Sequence, residues 1–382
     1  MFGACVIFGV CLTSYLAAER EEGAFLVKGA KIYTSGSKGV LAEASLLIEK
    51  GKIMKVLTGS DLPAVPAIDY SGKCIMPGMV DAHTYISGYY RLLENTKAIT
   101  SELVAHAAFD PLSPEVEEAL AAGITTVNFS PRNENLVGGM TSIFKLTQSL
   151  EGLPFLKKEA FLKISFSQAV KNEERPPTSL MGAEAMLNEQ MEKATGSALR
   201  EDVFKEEGIS KLVKGDLRPL IAASYYEEIS TSLKWLGYWK LKGILVGGEE
   251  AHRFAKELRE KEVAVLFYPL LFSTPEKMAL NIASLLEGGI QIAFTGSLPE
   301  GEPLGLRTSA LRLCHQGISQ EEALKTITLF PAQILGVADS VGSLEEGKDA
   351  DFVVLSGEPL DLSSKILAVY SNGRLISKGQ GQ

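Results

Sequence analysis

The chain carries two patterns of hydrophobic and polar positions. From Phe25 the apolar residues fall in short runs broken by glycine and charged turn residues: AFLVKGAKIYT, then ASLLIEKGKIMKVL with a Lys-Gly-Lys turn at Lys50 to Lys52, then AIDYSGKCIMPG. Runs of this length between turn residues predict β-strands joined as hairpins. The same pattern returns near the far end in DADFVVLSGEPL and ILAVYSNGRLISKG, where Asn372-Gly373 marks a tight hairpin.

Between those ends, strand-like runs alternate with amphipathic helical stretches. GITTVNFSP follows SPEVEEALAAG, LRPLIAAS leads into YEEISTSLKWLGYW, and LKGILVGG leads into EEAHRFAKELREKE. VAVLFYPL then precedes PEKMALNIASLLEGG, and IQIAFTGS precedes LGLRTSALRLCHQG. Such repetition predicts βαβ units around a parallel sheet, and the number of units suits a closed, TIM-like (β/α)8 barrel. The two β-rich ends then meet as one small composite β-sandwich domain. The charged stretch Met181 to Gly208 reads as a solvated helix or helix pair packed on the barrel. The predicted division is residues 25–75 with 340–378 for the composite domain and 76–339 for the barrel.

Length agrees with this division: 382 residues hold an α/β barrel of about 250 and leave roughly 130 for a companion. Hydrophobic residues at 46% and charged residues at 22% are those of an ordered globular chain. The net charge of -9 repels phosphate backbones, which argues against nucleic acid as a partner. Residues 1–18, apolar from Phe2 to Ala18 and followed by EREEG, fit a secretory h-region better than a bilayer span. Ala17-Ala18 offers a cleavage site, yet no Lys or Arg precedes the apolar run, so a retained anchor stands beside export. The localisation expected is exported or periplasmic if this segment is a signal peptide, and cytoplasmic or membrane-anchored otherwise. Cys74 and Cys314, the cysteines beyond this segment, do not make a disulfide framework.

Candidate chemistry concentrates in CIMPGMVDAHTYISGYY, Cys74 to Tyr90, where a new strand follows Pro77-Gly78 and carries Asp81 and His83. With the exit segment EEALKTITLFPAQILGVADSVGSLEEGKDADFVVL and the loop NENLVGGMTSIFKL, this layout resembles the amidohydrolase superfamily, in particular its imidazolonepropionase-like branch. The likeness runs from about Phe25 to Lys378. It implies a metal site at the C-terminal mouth of the barrel. Members supply a His-x-His pair on the first strand, sometimes a carboxylated lysine or a glutamate midway, histidines on the fifth and sixth strands, and an aspartate on the eighth.

Against that pattern, His83 is present and its partner position is Tyr85. The fifth-strand position falls in Ala222 to Tyr225, with Ala223 and Tyr225 as pocket-lining candidates; the sixth reads Gly247 and Gly248; the eighth reads Ser297. A four-ligand structural zinc site is worth roughly 10 to 16 kcal/mol, about 3 to 4 per ligand. A lone imidazole with that share holds zinc at about a millimolar dissociation constant. Tyr85 as a phenolate ligand would first need its proton removed by the metal it recruits. No cofactor is therefore expected, with a weakly bound divalent metal such as zinc as the alternative.

The other histidines have plainer readings: His106 in a connecting loop, His252 on a partly exposed helix face, His315 at a helix C-terminus. Asp81 shares a strand face with His83 and could orient it; the resemblance implies that this aspartate belongs to the strand framework, and that is the expectation here. Lys145 and Lys163 lie in apolar surroundings: either could be a buried amine of altered pKa, and a carboxylated lysine is what the resemblance offers, but with no other ligands for a carbamate to bridge, snorkelling to the surface is the preferred expectation. Tyr85, Tyr225 and Tyr226 would form an aromatic rim able to bind a small ligand. Two functions follow. One is a degenerate amidohydrolase without metal chemistry, binding a small ligand or acting as a non-catalytic subunit, as a homodimer or beside an active paralogue. The other is a hydrolase of carbon–nitrogen bonds other than peptide bonds, with an atypical or metal-free site centred on His83, where Tyr85 or Tyr225 polarises a carbonyl and Ser297 assists.

Overall fold

The computed structural model describes residues 23–94, 96–197, 207–296 and 304–379. The N-terminal segment 1–18 and Ser297 lie outside the described residues. Among those described, no helix is long and apolar enough to cross a membrane.

Both chain ends enter one eight-stranded sheet. Its path runs Arg374–Lys378, Ile366–Ser371, Phe352–Leu355, Cys74–Pro77, Phe25–Tyr33, Val40–Glu49, Lys52–Leu57, with Ala67–Asp69 beside Phe25–Tyr33. The expected sandwich is thus a single hydrogen-bonded sheet, because the long strand Phe25–Tyr33 pairs with three neighbours. Its two hairpin turns are built alike: Lys50-Gly51 and Asn372-Gly373 both have positive φ at each residue, the geometry that matches strand twist. They also pack together, since the Gly373 N–H donates to Ala350 O and the Ala350 N–H donates to Gly51 O. Side chains alternate across the sheet. Phe352 and Val354 join Ile32 and Leu46 in the sheet's own core, while Val353 and Leu355 join the core of the rest of the molecule. Both faces are covered, which explains the unbroken apolar run FVVL.

The rest is a mixed α/β body. Its central strands are Met79–Thr84, Ile124–Phe129, Val137–Met140 continued by Ser142–Lys145, Phe161–Ser165, Arg218–Ala223, Ile244–Gly247, Ala264–Phe267 and Ile292–Phe294. They form two sheets, and the last five strands are parallel to one another. The third strand departs from the expected parallel order. It runs antiparallel to Ile124–Phe129 through its second half and antiparallel to Phe161–Ser165 through its first. The change of partner falls at Thr141, whose N–H and C=O bond Phe161 and Ala160 at 2.9 Å each. No helix separates the second strand from the third, so the chain reverses instead of crossing over. Among the described residues no ladder joins the first and eighth strands; the Val80 N–H donates to Ile327 O and the Phe294 N–H to Thr326 O.

Helices follow their local signals. Ser113 caps Pro114–Ala121 by accepting from the Glu115 N–H, and Ser319 caps Gln320–Lys325 through the Glu322 N–H. The charged region anticipated as a helix pair is Leu180–Ser197 and Glu207–Lys214.

Two buried cations lock the β-rich sheet to the central body. Arg307, on the helix Gly305–Cys314, donates to the carbonyls of Pro359, Asp361 and Ser364 at 2.8, 2.8 and 3.3 Å. Lys145 is 3% exposed and does not snorkel. Its Nζ lies 2.5 Å from Asp349 and 3.0 Å from Asp351, and donates to Asn372 Oδ1 at 2.5 Å. Removing the amine strands two buried carboxylates. Lys145→Met is therefore expected to destabilise the protein by about 3–5 kcal/mol, measured by denaturant unfolding.

Candidate active site at the ends of the central strands

His83 stands near the end of the first central strand and is 2% exposed. Its Nε2 lies 3.0 Å from Nζ of Lys163, which projects from Phe161–Ser165 and is wholly buried. The structure thus overturns the snorkelling expected of Lys163. The strand FLKIS is buried at every position, and the short path from its Cα to solvent that snorkelling needs does not exist. Among the described residues no carboxylate forms an ion pair with Lys163. Burial alone pushes its amine down to about 7, against the attraction of Glu134. Burial also holds the His83 imidazole well below its ordinary range, and the Lys163 charge adds to that.

Asp81, 1% exposed, orients backbone and not the imidazole. Its Oδ1 accepts from the His83 N–H at 3.1 Å and from the Gly296 N–H at 2.8 Å. This second bond ties the chain just beyond the eighth strand to the first. Burial pushes the Asp81 carboxyl up to about 7, opposed by those two N–H groups. A Cβ on Gly296 would overlap Asp81 Oδ2, so it is Gly296 whose substituent would face this cluster. The sequence had pointed to Ser297, one residue further on.

The remaining candidate positions carry no donor to His83. Ala223 is buried, and its carbonyl accepts from the Gly248 N–H at 2.9 Å. Gly247 has φ +106, and a Cβ there would overlap Ser224 Oγ, so backbone and space both require glycine. Tyr225 is 46% exposed, and its phenol is pushed up chiefly by the charge of Glu249. Tyr226 is also exposed and packs on Phe254. Both later tyrosines stand where the helix Tyr226–Trp239 begins and are exposed, whereas Tyr85 is buried beside His83.

A different aromatic series leads outward. The Tyr85 ring meets His83 edge-on at 5.0 Å, Tyr89 follows at 6.1 Å, and Tyr90, 90% exposed, at 5.2 Å. The Arg132 guanidinium lies 3.7 Å over Tyr89 and pairs with Glu134. Tyr89 and Tyr90 stand in the same stretch, SGYY, and their ring chemistry was the available signal. The other histidines are engaged elsewhere: His106 Nδ1 with Ser142 Oγ at 3.0 Å, and His252 Nδ1 with Asn281 at 3.2 Å.

Comparison with known proteins now places the chain. A model of the amidohydrolase family matches residues 289–377. The imidazolonepropionase of Bacteroides fragilis is 27% identical over 337 residues, covering 75% of this chain and 77% of that protein. That of Fusobacterium nucleatum is 24% identical over 401 residues, covering 87% and 91%. The crystal structure of an amidohydrolase from Thermotoga maritima superposes with a TM-score of 0.84 at 29% identity, over 93% of this chain and 100% of that one. The chain belongs to the amidohydrolase superfamily. Within it, its place is the imidazolonepropionase-like branch.

The metal that this family implies does not fit the donor set on these strands. His83 Nε2 is engaged by an amine, the two bonds to Asp81 Oδ1 come from backbone, and Ala223, Gly247 and Gly296 bring no side-chain donor. No group of three or more His, Cys, Asp or Glu side chains able to hold a metal occurs among the described residues.

The lowered Lys163 value makes a stability prediction whose sign depends on pH. Between about 7 and 10.5 the folded protein binds fewer protons at this group than the unfolded chain, so its contribution improves as pH rises through that window. Below it the penalty is complete, on the order of 5 kcal/mol for a drop from 10.5 to about 7. Lys163→Met removes that penalty and leaves His83 Nε2 without a partner, at a cost of about 1–3 kcal/mol. Near pH 6 the variant is expected to be more stable than wild type by about 2–4 kcal/mol. Near pH 10 it is expected to be less stable, with both differences read from urea unfolding.

Proposed function

We propose that this chain is an amidohydrolase-type hydrolase of carbon–nitrogen bonds other than peptide bonds, cyclic amides first, working from a metal-free Lys163–His83 pair. The observation that carries this reading is the 3.0 Å contact between a buried amine and a buried imidazole at the strand ends. Likeness to imidazolonepropionases over most of the chain supports the bond class. On this reading the two central sheets close into one (β/α)8-type barrel, its seam bridged by the backbone at Thr326 and Ile327.

With its amine pushed down to about 7, Lys163 holds a large fraction of free base at neutral pH. It takes a proton from water as the oxygen adds to the substrate carbonyl. The carbon–nitrogen bond then breaks, and the new ammonium returns the proton to the departing nitrogen. His83 Nε2 accepts a hydrogen bond from Nζ in both states and holds the amine on line. Because burial holds the imidazole well below its ordinary range, His83 is the positioning partner and not the stronger base. On this reading the Tyr85, Tyr89 and Tyr90 rings, packed in series from His83 to the exposed Tyr90, are those that a small planar substrate must pass.

A second reading rests on Ala223, Gly247 and Gly296: strand ends without donors suit a subunit that binds a small ligand and performs no hydrolysis. A panel of cyclic amides and lactams separates the two. Turnover is expected to rise with pH through about 7 and to fall by about two orders of magnitude or more in Lys163→Met, with Lys163→Arg equally inactive. Absence of turnover across the panel, or turnover indifferent to Lys163→Met, replaces the hydrolase by the binding subunit.

A further inference from the structure

The superfamily's fold keeps a divalent cation where these strands end, and this chain has something else there. We propose that the Lys163 side-chain amine occupies the place of that cation, seated on the His83 imidazole and closing the site to divalent metal. The inference concerns the same pair as the proposed hydrolysis, but it is read from metal uptake and not from turnover.

Three observations support it. First, a neutral imidazole nitrogen has one lone pair, and that of His83 Nε2 has Lys163 Nζ 3.0 Å away. A zinc ion would need to sit about 2.0–2.1 Å from the same nitrogen, within the van der Waals envelope of the amine. Second, Lys163 is fully buried and, among the described residues, has no carboxylate paired with it. Lys145, the other buried lysine of the central strands, has two. A buried amine without a counter-ion in such a place fills the position through its contact with His83 and not as half of an ion pair. Third, the two strand ends where further ligands were sought are glycines with another side chain's polar end against them. A side chain at Gly296 would overlap Asp81 Oδ2, and one at Gly247 would overlap Ser224 Oγ. Asp81 Oδ2 lies where a side chain at position 296 would begin, and Asp81 Oδ1 accepts from the N–H groups of His83 and Gly296.

The test is metal binding by the intact protein. Wild type incubated with zinc chloride and desalted is expected to retain a small fraction of an equivalent by ICP-MS. One equivalent retained by wild type and lost in His83→Ala overturns the proposal. Lys163→Glu exchanges the occupying amine for a ligand. It is expected to bind zinc about a hundredfold more tightly than wild type in competition with a chromophoric chelator. A folded Lys163→Glu that binds no better overturns the proposal too. Should that variant not fold, nitrogen-15 NMR of wild type decides: His83 is expected to stay neutral, protonated on Nδ1 and accepting at Nε2, with no change on adding zinc. A zinc-induced shift of Nε2 rejects the inference. Absent turnover with no metal uptake counts against the hydrolase reading alone, whereas metal uptake counts against this inference whether or not the protein turns over.

Discussion

A buried primary amine with an imidazole beside it and, among the described residues, no carboxylate paired with it is the constraint around which this site is arranged. Desolvation acts on Lys163, His83 and Asp81 together, and it pushes each toward its uncharged form. Neutrality is how three titratable groups share a small buried volume. Their remaining polar atoms are met locally: Nζ by Nε2, and the Asp81 carboxylate by two N–H groups. The bond from Gly296 to Asp81 has a further consequence, since it ties the last strand to the first where no ladder joins them.

The two buried lysines show how one residue type serves opposite ends. Lys145 sits among Asp349, Asp351 and Asn372 and fastens the central body to the sheet formed by the chain ends. Two carboxylates stand within ion-pair distance of its amine. Lys163 sits on the next strand but one in sequence, in an equally apolar run, and has no such partners. In one case ion pairing stabilises architecture, and in the other burial without a counter-charge pushes the amine toward its uncharged form.

Much of the architecture was legible in the pattern of residues. The hairpins at Lys50-Gly51 and Asn372-Gly373, the strand–helix alternation from Arg218 onward, and the coming together of both chain ends follow from local signals. The antiparallel third strand was not legible, because FKL and LVGGM have the same apolar character whichever way the strand runs; direction is set by the partner chosen at Thr141. At the site, His83 and Asp81 could be singled out from VDAHT, and the missing donors could be counted. Tyr225, which reads as pocket-lining because it follows a buried strand, stands half exposed where the helix begins.

The sequence by itself determined which donors were available: one histidine on the first strand, and alanine and glycine where other ligands were sought. It also determined that two lysines had to be accommodated inside apolar strands. Which lysine met carboxylates and which met His83 was decided only by the tertiary structure, because those partners are 80 and more than 200 positions away along the chain. A buried amine takes its charge state from what lies within a few ångströms, and chain separation carries no information about that distance.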